Sequence, residues 1–484
     1  MVLADLVDLQ AAATPDKAAI QSPNGVLTYA ALSARAATLA RGLAGQGVCA
    51  GDRVAVLAHN HPDTLALLLA CSRLGAMLAP LNWRLVAPEL LWILQDATPR
   101  ILVMDAAHAG VLDPAALPSI QVLPLEALPA DLGPAPHDPA AGHQQGLLLV
   151  YTSGTTGRPK GAVLTGQAML ANAAMSRHMH ALMAKDHVLT VLPLFHVGGL
   201  NIQTVPALLT GATVTLHTRF DPGATLHAIA TACPTLTVLV PATLHALYAH
   251  PDWPGADLSS LRAVTTGSTT VPPAATLPLT SRGVPVLQVY GATETAPISI
   301  YTPYGSNLPG TGVPGPFCEA RAVDAAGQDV PDGTPGEVLI QGPQVFTGYW
   351  NNPDATRDAL RGGWFHTGDI GTRAADGTWT VHDRKRNLIV SGGENIYPAE
   401  IERALEEHPA VQEAAVTRRP DPRWQEVPIA WVVLRPGAAA TGADLAAHLR
   451  TQIAGFKVPR EVHFLPALPR NAMGKVQHAA LPSC

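Results

Sequence analysis

Residues 151–163 read Y-T-S-G-T-T-G-R-P-K-G-A-V, directly after the apolar run G-L-L-L-V at 146–150. The apolar run is that of a buried strand. The stretch that follows interleaves Gly154, Gly157 and Gly161 with Thr152, Ser153, Thr155 and Thr156, and places Lys160 near its end. Glycines let backbone bend and approach a ligand closely, while hydroxyls, free N–H groups and a lysine charge suit phosphate oxygens. The spacing is not G-x-x-x-x-G-K-[ST], because Pro159 precedes the lysine and Gly161 follows it. A plain surface loop needs neither two adjacent Thr-Gly units nor a Pro-Lys-Gly end. A strand that opens into such a loop calls for an α/β layer architecture.

The flanking chain agrees. Leu32, Ala36, Leu39 and Leu43 recur at helical spacing over 30–46, with Gly47 as the stop. Strands are expected at 53–57, 77–80 and 100–104, and helices at 62–74 and 88–96. That alternation predicts a parallel sheet covered on both faces. After the loop, a helix over 167–184 leads to strands at 188–193, 212–217, 237–240, 263–265 and 287–290, which predicts a second sheet of the same kind. From Gly310, short strands at 319–323, 337–341 and 378–381 alternate with D-G and P-G turns and read as a small antiparallel barrel or sandwich. Mixed strands and one helix at 398–407 predict a separate C-terminal domain.

Composition narrows the class. At 484 residues, with 47% hydrophobic and 14% charged, the chain is globular and large enough for several cores. A net charge of −6 gives no electrostatic case for nucleic acid. The five cysteines are scattered without C-x-x-C, as expected of reduced thiols. The most apolar stretch, 65–83, contains Arg73 and Pro80 and makes a poor membrane span, and residues 1–9 lack a basic leader, so a cytoplasmic protein is expected.

The glycine–threonine loop is similar to the phosphate-binding loop of the adenylate-forming (AMP-binding) superfamily, which includes acyl- and aryl-CoA synthetases, luciferases and peptide-synthetase adenylation domains. Further motifs resembling that family's follow in order: G-S-T at 267–269, Y-G-A-T-E at 290–294, W-F-H-T-G-D-I at 364–370, D-R-K-R-N-L-I-V-S-G-G-E-N-I-Y-P at 383–398 and P-R-N-A-M-G-K at 469–475. The likeness runs from Leu27 to Lys475. It implies a large N-terminal domain of two α/β sheets plus a small β-barrel subdomain (1–385) and a small mobile α+β C-terminal domain (387–484), hinged at Arg386.

The resemblance also implies roles. ATP or AMP would meet Thr152, Ser153, Gly154, Thr155, Thr156, Gly157 and Lys160, then Gly267, Ser268, Tyr290, Gly291 and Thr293, with Asp369 and Arg384 at the ribose and phosphate. Glu294 would hold Mg²⁺, which suits a carboxylate placed near phosphates. Lys475 would reach the reacting carboxylate and α-phosphate. His196 would gate an acyl pocket with Val197, Gly198, Gly199, Asn201, Ala292 and Pro297. CoA would meet Gly392, Gly393, Trp424, Phe456 and Lys457. G-S-T departs from the family's commoner G-G-A-P, and Arg386 from its usual Asp or Lys.

The expected activity is an AMP-forming acid–thiol ligase acting on a small carboxylic acid, ATP and CoA. Loading of a carrier protein, or a silent ATP- or acyl-binding sensor, are the rival readings. Segments 196–204, 267–269 and 291–298 contain no Lys or Arg, which favours a neutral-tailed monocarboxylate. They also contain no aromatic ring besides His196, which ranks a medium- or long-chain fatty acid ahead of an aryl acid. Arg177 would alter this if it pointed inward.

Overall fold

The computed structural model describes residues 2–113, 115, 117, 119–128, 143–152, 159–267, 271, 273–384, 387, 389–391, 394–421, 424–453, 455–471 and 475–482. The chain divides into two compact units. One comprises Met1–Ser268, Leu279–Ala320 and Leu339–His366; the other comprises Thr269–Pro278, Arg321–Val338 and Thr367–Cys484.

The first unit holds two α/β sheets. In one, five strands of two to seven residues surround the pair Arg53–Leu57 and Met77–Pro80; across the sheet the order is Gly348–Tyr349, Lys160–Thr165, Gly146–Thr152, Met77–Pro80, Arg53–Leu57, Ile101–Met104 and Gln121–Pro124. Its interior strands are parallel and buried along their length, as a sheet covered on both faces requires. Lys160–Thr165 runs antiparallel to Gly146–Thr152, so the glycine–threonine loop joins neighbouring strands instead of leading to a crossover helix. The second sheet has nine strands. Its parallel centre runs Ala18–Ser22, Thr213–Leu216, His187–Thr190, Leu236–Val238, Ala263–Gly267 and Val286–Tyr290.

Local chemistry sets the helix ends. Thr28 accepts from the N–H of Ala31 to start Tyr29–Gly45, and Thr165 does the same for Ala168 at Gly166–His180. Pro62 opens Pro62–Leu74, and Gly75 at φ 66° closes it in the left-handed region. The helix Leu3–Ala13 goes unread in the sequence, as it carries no side-chain N-cap bond from Val2.

Asn60 ties the ends of the two sheets together. Its Nδ2 donates to the carbonyls of Leu192 and His217, each at 3.0 Å, and its Oδ1 accepts from the N–H of Leu194 at 2.8 Å. The loop that delivers His196 is therefore pinned from the neighbouring sheet.

The short strands Glu319–Val323, Gly336–Gln341, Phe365–Arg373 and Trp379–Arg384 pair in that order as a small four-stranded sheet. Later in the second unit, Glu394–Ile396, Ile389–Ser391, Gln425–Leu434 and Val411–Asp421 form a sheet, with Glu461–Phe464 pairing parallel to Gln425–Leu434. Two helices cover a core of Ile401, Leu405, Val416, Val432, Leu445 and Leu449. Where the sequence signals one helix over 398–407, the structure has Pro398–Glu406 and adds Gly442–Arg450, opened by a capping box between Thr441 and Asp444.

Two expectations follow for stability. Asn60→Ala strands three buried main-chain groups, each costing about 1–3 kcal/mol. It should lower the thermal midpoint by several degrees more than Asn24→Ala on the exposed Gly25 turn, as read by circular dichroism. Glu402 packs its carboxylate under Val416, whose N–H donates to it at 2.7 Å. Burial, followed by the nearby Asp383 and Glu406 charges, pushes its pKa up from 4.5 to about 8 against the help of that N–H. The raised folded value means stability is fullest below the unfolded pKa and is lost as pH rises through about 8. Urea midpoints should fall from about pH 5 to about pH 9, and Glu402→Gln should flatten that fall. An unchanged pH slope in the variant would assign the fall to other groups.

Candidate active site

In the first unit, Thr152 and Lys160 sit directly opposite each other at the mouth of the hairpin. Ser153, Gly154, Thr155, Thr156 and Gly157 lie outside the described residues, as do Ser268, Arg386, Gly392 and Gly393. Lys160 Nζ stands 5.3 Å from the centre of the Tyr349 ring, a cation–π distance. The Tyr349 hydroxyl donates to Glu294 Oε1 at 2.7 Å, and the Phe346 N–H donates to the Glu294 carbonyl at 2.8 Å. One ring thus links the lysine of the glycine–threonine hairpin to the carboxylate of Y-G-A-T-E. Sequence reading missed Tyr349, which is 55 positions from Glu294 and carries no local motif.

Tyr290 ends a strand, and Gly291 turns the chain back beneath it. A Cβ on Gly291 would lie 1.7 Å from the Pro297 carbonyl oxygen, so only glycine fits. Gly267 is likewise enforced, since its Cβ would meet the Val289 carbonyl oxygen at 2.3 Å. Thr293 is buried in the short turn Thr293–Thr295, where Thr295 Oγ1 accepts from the Ala292 N–H. Half-buried Glu294 fits Mg²⁺: that ion takes one or two carboxylates and completes its shell with phosphate oxygens and water.

The expected acyl-pocket residues come from two segments, around His196–Asn201 and Ala292–Pro297. His196 Nδ1 accepts from the Gly198 N–H at 3.0 Å, which fixes the ring proton on Nε2. Val197, Gly198 and Gly199 are buried in the following turn, and Leu200–Thr204 continues as a π-helix, a form concentrated at functional sites. Asn201 is fully buried. Its Nδ2 donates to the Ala296 carbonyl, and its own carbonyl accepts from Asn172 Nδ2. Asn172 Oδ1 in turn accepts from the Ile298 N–H, so the two asparagines stitch the segments around Ala292 and Pro297 in place. Arg177 is exposed on its helix, so it does not bring a charge to this site.

In the second unit, Asp369 and Arg384 are direct partners across antiparallel strands. Asp369 is buried, and its N–H donates to Thr367 Oγ1 at 3.0 Å. The side chains of Arg384 and Phe456 are outside the described residues. Asp383 accepts from Asn387 Nδ2 and from the Ala399 N–H, two bonds that span position 386. Lys475 is exposed in a turn closed by Asn471, which exchanges two hydrogen bonds with its backbone. Lys457 Nζ pairs with both Glu400 oxygens at 2.7 and 2.8 Å, so an incoming phosphate would compete with that carboxylate. Trp424 packs against a cluster containing Trp431 and Leu468.

Among the described residues, His59, Asp105 and His108 form one group with metal-ligand chemistry. Asp105 already receives the backbone N–H groups of His59 and His108 and the Nδ1 of His108 at 2.5 Å. These donors satisfy the carboxylate, so it anchors the turns after two strands.

The profile of the AMP-binding enzyme family matches residues 7–350, and that of the AMP-binding enzyme C-terminal domain matches residues 400–475. The chain is 45% identical to an indoleacetate–CoA ligase of Aromatoleum aromaticum, covering 99% of this chain and 97% of that one. It is 42% identical to a feruloyl-CoA synthase of an Amycolatopsis species, over 96% and 95% of the two chains. The crystal structure of the anthranilate CoA ligase AuaEII in complex with anthranoyl-AMP superposes with a TM-score of 0.92 at 27% identity, over 99% and 96% of the chains. No described helix is long and apolar enough to cross a membrane. A chain matched by this family along both its parts belongs to the AMP-binding enzymes, in their acyl-CoA synthetase branch of acid–thiol ligases that use ATP and CoA.

Proposed function

We propose that the protein joins an aryl or arylalkyl monocarboxylic acid to CoA through an acyl-adenylate. The observation that carries this reading is the 45% and 42% identity to ligases named for indoleacetate and ferulate. It reverses the order expected from the pocket segments alone, which put a fatty acid first. Aromatic rings lie next to those segments: Phe195 precedes His196 in the chain, and Trp83 lies edge-on to Phe195 at 6.2 Å. The absence of Lys and Arg from 196–204, 267–269 and 291–298 supports a tail without a second charge.

In the first step the carboxylate oxygen attacks the α-phosphorus of ATP and pyrophosphate leaves. A carboxylate is a poor acyl donor, and esterification to AMP supplies the leaving group. In the second step the CoA sulfur attacks the acyl carbon, and AMP departs with the C–O bond electrons. No enzyme residue becomes covalently attached, so the chain contributes position and charge. Thr152, Lys160 and the loop between them would hold the phosphates, Tyr290 and Gly291 the adenine, and Asp369 with Arg384 the ribose. Glu294 would hold Mg²⁺, which neutralises phosphate charge when bound. Tyr349, by donating to Glu294, orients that carboxylate.

Lys475 would stabilise charge at the α-phosphate during the first step alone, carried there by a C-terminal part (387–484) that pivots at Arg386 against residues 1–385. The turn closed by Asn471 presents it on the surface, as such a role requires. Gly392 and Gly393 would line the thiol path in the second step.

Two measurements test this. Lys475→Ala should slow adenylation by about 10²–10³-fold, the scale of losing one preorganised contact, and nearly spare thioester formation from pre-made acyl-adenylate. Equal losses in both half-reactions would remove Lys475 from its single-step role. In a pyrophosphate-release assay with CoA, kcat/KM for indole-3-acetate, 4-coumarate or benzoate should exceed that for octanoate. Malonate should fall at least about 10²-fold lower still, because its second charge is buried without a partner. Octanoate as the best substrate would restore the fatty-acid order, and malonate as the best would refute the neutral tail.

A further inference from the structure

A line of buried polar side chains ends in an acceptor that no described residue satisfies. It begins at His180, which is fully buried. His180 Nδ1 lies 2.8 Å from the Ser176 carbonyl oxygen, and Nε2 lies 2.8 Å from Thr265 Oγ1. A carbonyl can only accept, so Nδ1 carries the proton and Nε2 accepts. Burial pushes this imidazole down to about pKa 4, so the ring holds a single proton. The hydroxyl proton of Thr265 must then go to His180, which leaves Thr265 Oγ1 as an acceptor. Gln203 Nε2, 3.1 Å away, donates to it. The network therefore fixes the orientation of the Gln203 amide, with nitrogen toward Thr265 and Oε1 turned away.

Gln203 is 1% exposed, and its Oε1 accepts no hydrogen bond. The residue lines a cavity with room for about one water molecule, together with Gly199, Thr190, Thr204, Leu192 and Val238. The two hydroxyls in that wall offer nothing. Thr204 Oγ1 donates to the Gly199 carbonyl at 2.7 Å, so Thr190, 2.7 Å from Thr204 Oγ1, gives its proton to Thr204. Among the residues lining the cavity, Gln203 is thus the one whose side chain keeps a bare acceptor, while the hydroxyl protons beside it are committed. Asn201, two residues earlier on the same π-helix, also leaves its Oδ1 without a partner. Buried acceptors of this kind are rare and call for a donor.

We infer that Gln203 Oε1 accepts a hydrogen bond from the tail of the bound acid, so that the enzyme selects aryl acids bearing an N–H or O–H on the ring. This rests on the aryl-acid reading above. A site built to pair a substrate donor rejects the isostere that lacks it, because its own polar group is then left bare.

The test compares matched acids in the full-length enzyme: indole-3-acetate with 1-benzothiophene-3-acetate, and 4-coumarate with 4-fluorocinnamate. The wild type should favour the donor-bearing member by about 10–100-fold in kcat/KM. Gln203→Leu should bring that ratio to about 1, losing more on the donor-bearing acid than on its partner. Gln203→Met serves the same purpose should the leucine variant fail to fold. A wild-type ratio near 1, or a ratio that persists in both variants, overturns the inference; either is the outcome expected of an acceptor satisfied by a permanently buried water. Turnover of octanoate with none of the four aryl acids would instead overturn the aryl reading itself.

Discussion

Backbone that leaves the carboxyl end of a parallel sheet and stays buried must find hydrogen-bond partners without water, and the first unit depends on how that is met. Its site segments do not run over the surface. Leu192, Leu194, Asn201, Ile202, Ala296 and Ile298 all carry buried main-chain groups that no strand ladder reaches. Uncharged side chains supply the partners: Asn60 for Leu192 and Leu194, Asn172 for Asn201 and Ile298, Asn201 for Ala296, and Ser176 for Ile202. Amides suit the task because one side chain both donates and accepts, so a single residue can hold two strands of backbone at fixed separation. These bonds fix the segments proposed to form the acyl pocket.

Neutral partners also bring no charge to the proposed pocket. The charged groups of the first unit that the proposed reaction would use are Lys160 and Glu294, linked through the Tyr349 ring. A tyrosine stands between the lysine and the carboxylate, and it contacts both. In the proposed reaction, phosphate would meet the lysine while the carboxylate stays available to a cation. The separation of a charged end from an uncharged pocket is what a reaction between a polyanion and an apolar acid requires.

The fold class and its order were legible in the chain. Period and punctuation mark the helix Pro62–Leu74 and the strand Arg53–Leu57 to the residue, because proline, glycine and an unbroken apolar run act locally. Helix Gly442–Arg450 escaped because its apolar positions are few, and its stability comes from Leu445 and Leu449 packing on a core assembled from distant strands. The π-helix Leu200–Thr204 escaped because no sequence period distinguishes an extra residue in a helical turn.

The sequence by itself determined which chemistry the protein performs. Its glycine–threonine loop, Y-G-A-T-E, T-G-D and terminal lysine are short motifs whose residue types carry their reason with them. Only the tertiary structure decided how those groups are aimed. Tyr349 meets Glu294, Asp369 pairs in strand register with Arg384, and His180 orients Gln203 through Thr265, which lies 62 positions from that glutamine. Each of these is a pairing set by sheet register or by the crossing of a helix over a strand. A linear pattern records the composition of each element and leaves its neighbours to the packing, so contacts between segments are decided by the fold.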